Sequence, residues 1–490
     1  MREQAANTIS DSSHLKARHV ILVHAIVLSA AVGLFLILRA YGESMATAHS
    51  SVAPASTAPA PRDDVFLHLL LALVTVVVVS QGLGTVFSRC AQPRVIGEVV
   101  AGILLGPSLL GAISPASMAF VLPLSIVPLL GVLAQTGVIV YMFLVGLDLN
   151  ASLLRSRAHA SVAISHASIV APFVLGALLA LWLYPRLAPD GVRFTSFALF
   201  MGVAMAITAF PVLARILTDQ GLEKTELGVL SLGCAAVDYV SAWCLLALSV
   251  GVAQSDLNSA LRVVLLTLGY VALMFGVAGP VAARWLKGIQ DEHEEALPTS
   301  VVVTALVALL LSSLAAEAIG IHAIFGAFLL GAILPHDSPV ARVFRRKLED
   351  IVTILLLPAY FAYTGLRTQI GLLHGWDEWL VCAIIILLAT AGKFGGTLAA
   401  ARFTGLGWRT SASLGILMNT RGLMELVVLN IGLDLGVISP ALFAMMVVMA
   451  LVTTLATTPA LRLVGHVWGS DNPTQTVNRS AADISSQRLA

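Results

Sequence analysis

Met418-Asn-Thr-Arg-Gly422 falls in the middle of one apolar run, residues 410–432, and Ile207-Thr-Ala-Phe-Pro211 falls in the middle of another, residues 194–217. A run of about 20 apolar residues is long enough to cross a bilayer as a helix. Proline breaks the helical hydrogen-bond ladder, and a Gly or polar cluster weakens it. In hydrocarbon, the backbone groups freed by a break need protein or an ion to satisfy them. The two stretches therefore predict discontinuous membrane helices with carbonyls available near the midplane.

Outward from these breaks the chain keeps the same character. Of its 490 residues, 58% are hydrophobic and 11% are Asp, Glu, Lys or Arg, and the mean hydropathy is +0.92. A soluble domain carries about 25% charged residues. That excludes a soluble multidomain protein, a disordered chain, a coiled coil and a disulfide scaffold. The net charge of +1 gives no bulk attraction to nucleic acid. Cys90, Cys234, Cys244 and Cys382 lack metal-type spacing and read as small packing residues. The expected fold class is an all-α polytopic membrane protein, with the lipid bilayer as its first partner.

One N-terminal span is expected near residues 20–40. Thirteen more are expected near 66–87, 95–112, 127–147, 160–184, 194–217, 226–253, 259–286, 299–316, 321–335, 351–370, 379–402, 410–432 and 438–465. Residues 1–41 read as a cytoplasmic segment and an uncleaved anchor, because the apolar stretch exceeds the roughly 7–15 residues of a signal-peptide core. Residues 42–65, rich in Ala, Ser and Pro, read as a flexible external linker. The transmembrane domain is 66–465, and 466–490 is a polar tail. With both termini in the cytoplasm, 20 of the 28 Lys and Arg residues fall on the cytoplasmic side and 6 on the other. The positive-inside rule supports this topology, and the plasma (inner) membrane is the expected location.

Two pairs of spans repeat each other. Ile96-Gly-Glu-Val-Val-Ala-Gly-Ile-Leu-Leu-Gly-Pro107 in the second span is matched by Ile324-Phe-Gly-Ala-Phe-Leu-Leu-Gly-Ala-Ile-Leu-Pro335 in the ninth. The interrupted fifth span is matched by the interrupted twelfth. Both pairs lie seven spans apart, so the partners run in opposite directions. Inverted repeats carrying discontinuous helices are a common architecture of secondary transporters.

A charged residue at a helix centre costs roughly 2.5–3.5 kcal/mol on insertion scales, so each needs a reason. Asp238 lies in Cys234-Ala-Ala-Val-Asp-Tyr-Val-Ser-Ala-Trp243, and Lys393 lies in Ala391-Gly-Lys-Phe-Gly-Gly396. A lone carboxylate in mid-membrane suits an exchangeable proton or small cation. The plainer alternative is a buried ion pair that fixes helix register. Lys393 reads as its partner or as the counter-charge of an empty site. Arg421 and Glu425, four apart, share one helix face and can neutralise each other. Glu98 is a candidate pathway residue, with simple helix packing as the alternative. No enzyme is expected: His293-Glu-Glu-Ala-Leu297 lacks the second histidine of a metalloprotease helix, and no phosphate loop occurs. No cofactor is implied.

The chain resembles the monovalent cation/proton antiporter family, in its Kef and plant cation/H+ exchanger branch. The resemblance rests on Arg94 to Gly111, Phe143-Leu-Val-Gly-Leu-Asp148, Thr208-Ala-Phe-Pro-Val-Leu-Ala-Arg215, His322-Ala-Ile-Phe-Gly-Ala-Phe328, Tyr360-Phe-Ala-Tyr-Thr-Gly-Leu-Arg367 and Asn419 to Asn430. It covers about residues 66–465. It implies a 13-span inverted-repeat antiporter fold with crossed broken helices, to which this chain adds one N-terminal span. It also implies exchange of Na+ or K+ for H+ by movement of a core domain, in a homodimer. Carried over residue by residue, it places ion binding and transport at Asp238, Tyr239, Lys393 and Thr208. Ala209, Phe210, Pro211, Asn419, Thr420, Arg421 and Glu425 would support the breaks and their charges.

One position departs from the family. The branch has two adjacent aspartates where this chain has Asp238 and Tyr239, and the resemblance makes the second the main carrier. Tyrosine has an unperturbed pKa near 10 and offers a neutral oxygen at pH 7. Three readings follow. Asp238 is the sole exchanging carboxylate; the stoichiometry or substrate has changed; or the chain is a non-transporting homologue.

Overall fold

The computed structural model describes residues 65–467 except 91, 149–157, 223–224, 255–256, 288–297 and 336–337, together with Gly33, Leu36 and Ile37. The expected N-terminal anchor (apart from those three residues), the linker up to residue 64, the loop holding His293 and nearly all of the polar tail lie outside the described residues.

The long helices are α1 Val65–Arg89, α2 Arg94–Leu105, α3 Val127–Asp148, α4 Ala158–Leu187, α5 Phe194–Ala206, α6 Phe210–Asp219, α7 Glu226–Gln254, α8 Leu257–Leu273, α9 Gly279–Lys287, α10 Thr299–Ile319, α11 Ala323–Ile333, α12 Pro339–Ile351, α13 Leu357–Arg367, α14 Trp376–Phe403, α15 Trp408–Met418, α16 Leu423–Asp434 and α17 Pro440–Val467. Two pairs are continuous through π-helical turns: α8 with α9 through Met274–Ala278, and α12 with α13 through Val352–Leu356.

Among the described residues, eleven helical stretches are long and apolar enough to cross a membrane, and the bent pair α15 and α16 makes a twelfth. The remaining expected span, the ninth, is α11, with only 11 residues. At 1.5 Å per residue it is about 16 Å long, roughly half the hydrocarbon thickness of about 30 Å. It ends early because the peptide turns extended at Leu334, ahead of Pro335. The tenth expected span, 351–370, is longer than read: its helical stretch runs Val340–Leu372.

Packing divides the helices into two groups. The frame holds α1 to α3 and α10 to α13; the core holds α4 to α7 and α14 to α17. Contacts inside each group follow the inverted repeat. In the frame, α1 lies on α2 as α10 lies on α11, and α2 lies on α13 as α11 lies on α3. In the core, α4 lies on α5 as α14 lies on α15, and α4 lies on α7 as α14 lies on α17.

Small residues permit the closest approaches, as expected where apolar burial alone gives no drive between helices in lipid. A Cβ at Gly102 would overlap the Phe361 carbonyl, and one at Gly331 would overlap that of Phe143. The outer faces of α1, α8 and α10 carry exposed Val74, Val78, Leu266, Leu268, Leu310 and Leu314, the surface a bilayer requires.

Candidate functional site

The two predicted breaks meet inside the core. The chain is extended at Ile207, the C-cap of α5, and Pro211 opens α6 in the first turn, where its missing N–H costs nothing. In the partner break, α15 ends at Met418 and α16 restarts at Leu423 with a 43° bend. The strands of the crossing bond each other directly. Ala209 N donates to Thr420 O at 3.0 Å, and Thr208 Oγ1 donates to Met418 O at 2.9 Å. Gly422 sits against Val212, leaving no room there for a Cβ.

A helix end leaves carbonyls without intrahelical partners and carries partial negative charge. At the end of α5 two buried cations answer it. Arg421 donates to Ala204 O at 2.8 Å and to Met205 O at 2.6 Å. Lys393 donates to Ala206 O. Arg421 also donates to Glu425 Oε2 at 2.6 Å, and both side chains are fully buried. Glu425 lies in the first turn of α16, where the dipole favours an anion. Thr454 of α17 holds the Arg421 backbone on both sides, accepting from its N–H and donating to its C=O.

Lys393 makes the second buried pair. Its Nζ lies 2.9 Å from Asp238 Oδ2, with both side chains at 0% exposure. Ser168 of α4 donates to the other oxygen at 3.4 Å. The pair joins α7 and α14 across the core beside the α5 break. Asn419 Oδ1 and Glu425 Oε1 are buried oxygens without a hydrogen-bond partner in the structure. One carboxylate, one ammonium, two hydroxyls and several helix-end carbonyls thus converge where the helices break. Such a set can take a proton or a small cation.

Tyr239 points elsewhere. Adjacent helix positions do not share a face, and Tyr239 turns towards the frame. Its hydroxyl donates to Met142 Sδ on α3 at 2.9 Å. Its ring lies 4.6 Å from that of Phe328 on α11, centre to centre, and 6.3 Å from that of Phe210. Asp238 and Lys393 are therefore brought together, while Tyr239 is not among their ligands.

A cavity of about 320 Å³ lies between frame and core. Glu98, Arg94, Tyr141, Ala209, Pro211 and Arg215 are among its lining residues, so it reaches the α5–α6 break. On the opposite side of the site a polar network joins the groups. Asn430 of α16 donates to Tyr360 Oη at 3.0 Å and Thr364 Oγ1 at 2.8 Å on α13. Arg367 donates to Asn430 Oδ1 at 3.2 Å and pairs with Asp434 at 2.6 Å. Ser168, Thr454 and Asn430 carried no role in the sequence reading. The hydroxyls at Thr453, Thr454, Thr457 and Thr458 in an apolar run were the available signal for one of them.

Inverted repeats with crossed breaks over a buried carboxylate–ammonium pair define a secondary-transporter fold. Residues 70–463 match the family model described as Sodium/hydrogen exchanger, transmembrane, and the chain belongs to that family of multi-pass integral membrane proteins. It is 44% identical over 396 residues to the Na(+)/H(+) antiporter NhaS4 of Synechocystis, covering 80% of this chain and 96% of that protein. It is 40% identical over 406 residues to Cation/H(+) antiporter 18 of Arabidopsis thaliana, covering 82% of this chain but only 50% of that longer relative. In structure it is similar to the sodium proton antiporter MjNhaP1 of Methanocaldococcus jannaschii, with a TM-score of 0.54 over 81% of this chain and 100% of that one. At 16% identity this last likeness concerns the fold.

Proposed function

We propose that the chain exchanges a monovalent cation, Na+ or K+, for protons by alternating access, with Asp238 as the exchanging carboxylate. The observation that carries this reading is the closed pair between Lys393 and Asp238, 2.9 Å apart and fully buried. A charge so placed must be paired or neutralised. Lys393 satisfies it when no ion is bound. An arriving cation or proton takes the carboxylate and displaces the ammonium, which keeps the Ala206 carbonyl. Thr208 and the carbonyls of the breaks are the neighbouring oxygens that can complete a cation shell. By the distribution of Lys and Arg, the cavity bounded by Arg94 and Arg215 faces the cytoplasm. Glu98 lies on the route from it. A homodimer in the plasma membrane, with both termini cytoplasmic, is part of the same reading.

Inverted vesicles holding a preset proton gradient and a pH dye test it. Addition of Na+, K+ or Li+ is expected to dissipate the gradient, and Asp238→Asn is expected to abolish the response. Undiminished exchange in Asp238→Asn rules the reading out. The turned-away Tyr239 favours a second reading, altered stoichiometry, because one carboxylate fewer serves the site. Equal counts of cation and proton moved per cycle, measured with radioactive Na+ or K+ against proton flux, support it. Silence in the unaltered protein, with a response gained in Tyr239→Asp, points instead to a non-transporting homologue.

A further inference from the structure

The cavity stops one residue short of Tyr239 on two elements. It is lined by Tyr141 but not Met142 on α3, and by Ala209 and Pro211 but not Phe210 at the break. Met142 and Phe210 are two of the residues on which Tyr239 packs. Phe328 covers the ring from α11, and Trp243, one turn along α7, lies 6.2 Å from it. Tyr239 itself is 1% exposed. One position before it, Asp238 is shut off completely. An aromatic layer of Tyr239, Phe210, Phe328 and Trp243, drawn from core and frame, thus packs behind the cavity wall, and neither Tyr239 nor Asp238 reaches the cavity lining. A cation with its water shell cannot cross a closed apolar layer without a large loss of solvation.

We propose that Tyr239 is a gate rather than an ion ligand: its ring closes the route from the cavity to Asp238, and the packing of that ring on Phe328 keeps the gate shut while frame and core stand in this arrangement. The gate rests on the reading of Asp238 as the exchanging group for its use in transport, but not for its geometry. At this point the chain offers an approaching ion an apolar ring surface. The surface must part before an ion arrives. Sliding of core against frame parts it, because Tyr239 rests on Met142 of α3 and Phe328 of α11, both in the frame.

The test separates access from transport. Ser168, which donates to Asp238, is replaced by Cys in full-length protein whose four native cysteines are Ala. The rate of its reaction with a cationic, water-soluble methanethiosulfonate reagent is then measured from the cavity side in vesicles. With Tyr239 in place the thiol is expected to react slowly, as buried thiols do. Tyr239→Ala is expected to raise the rate by about tenfold or more, and Tyr239→Phe to leave it low, since access governs such reactions. Tyr239→Leu carries the same comparison should the alanine variant not fold. Rapid reaction with Tyr239 intact overturns the gate, as does no acceleration in either truncated variant. Equal acceleration in Tyr239→Phe also overturns it, because the hydroxyl contact rather than the ring would then close the route. An accelerated thiol in a protein that exchanges no cation leaves the gate standing and removes the transport role of Asp238.

Discussion

Two buried ion pairs lie side by side in the core, and they are held very differently. Arg421 and Glu425 do not share a helical face as their spacing suggested: Arg421 lies in the break between α15 and α16 and reaches Glu425 in the first turn of α16, and its guanidinium also caps two carbonyls of α5. Lys393 and Asp238 come from different helices, and besides each other they have one carbonyl and one long hydroxyl contact. Arginine is a rigid fork of five donors that stays charged, whereas lysine is a single movable ammonium. The first pair is a rivet through both broken helices. The second can open without taking the helices apart. Equal burial thus serves construction in one place and exchange in the other.

The sharpest way to break this contrast is Arg421→Met. It strands the Glu425 carboxylate and frees two helix-end carbonyls, so a loss of about 3–5 kcal/mol is expected. Thermal unfolding in detergent should show a large fall in midpoint, or little monodisperse protein. Lys393→Met is the matched change at the other pair. A smaller fall is expected, because Asp238 can take a proton and has fewer dependants. Combining it with Asp238→Asn should restore most of the lost stability, since replacing a whole buried pair is often neutral. If Lys393→Met costs as much as Arg421→Met, the two pairs are alike and the contrast fails.

Asn430→Ala tests the link between frame and core away from both pairs. It leaves Tyr360 and Thr364 on α13 without their donor, and about 1–3 kcal/mol is expected from unpaired buried groups. Hydrogen exchange should rise in α13 and α16 together; protection unchanged in α13 would show that the network does not join the groups. The smallest effect is expected from Thr208→Val, which removes one bond across the crossing, worth about 1 kcal/mol. A shift in unfolding midpoint larger than that of Asn430→Ala would make the crossing, not the peripheral network, the weak point.

Most of the fold was legible because a bilayer punishes exceptions. Apolar runs had to be helices, and Pro211 and Asn419 to Gly422 had to mark interruptions. Charges at 238, 393, 421 and 425 needed partners, and few were available. The site was legible only in part. Ala204, Met205 and Ala206 act through backbone oxygens, which no side chain advertises. Met142 and Phe328 are ordinary apolar letters, and nothing in their spacing shows that Tyr239 rests on them. The apolar run at 321–335 was already short for a span, and α11 is shorter still, covering only Ala323–Ile333. Asn430 stands in the string Asn419 to Asn430, yet three of its side-chain bonds come from α13, 63 to 70 residues away in sequence.

The Arg367–Asp434 pair has one further consequence. Asp434 is 41% exposed and Arg367 19%, so the pair is open to the medium on that face. Dissolved salt screens such charges, with a Debye length of about 8 Å at 0.15 M and about 3 Å at 1 M. The grip of frame on core at this corner therefore loosens as the surrounding solution becomes saltier. A chain from a sodium/hydrogen exchanger family thus carries, in one half-open ion pair, a contact that weakens as salt rises.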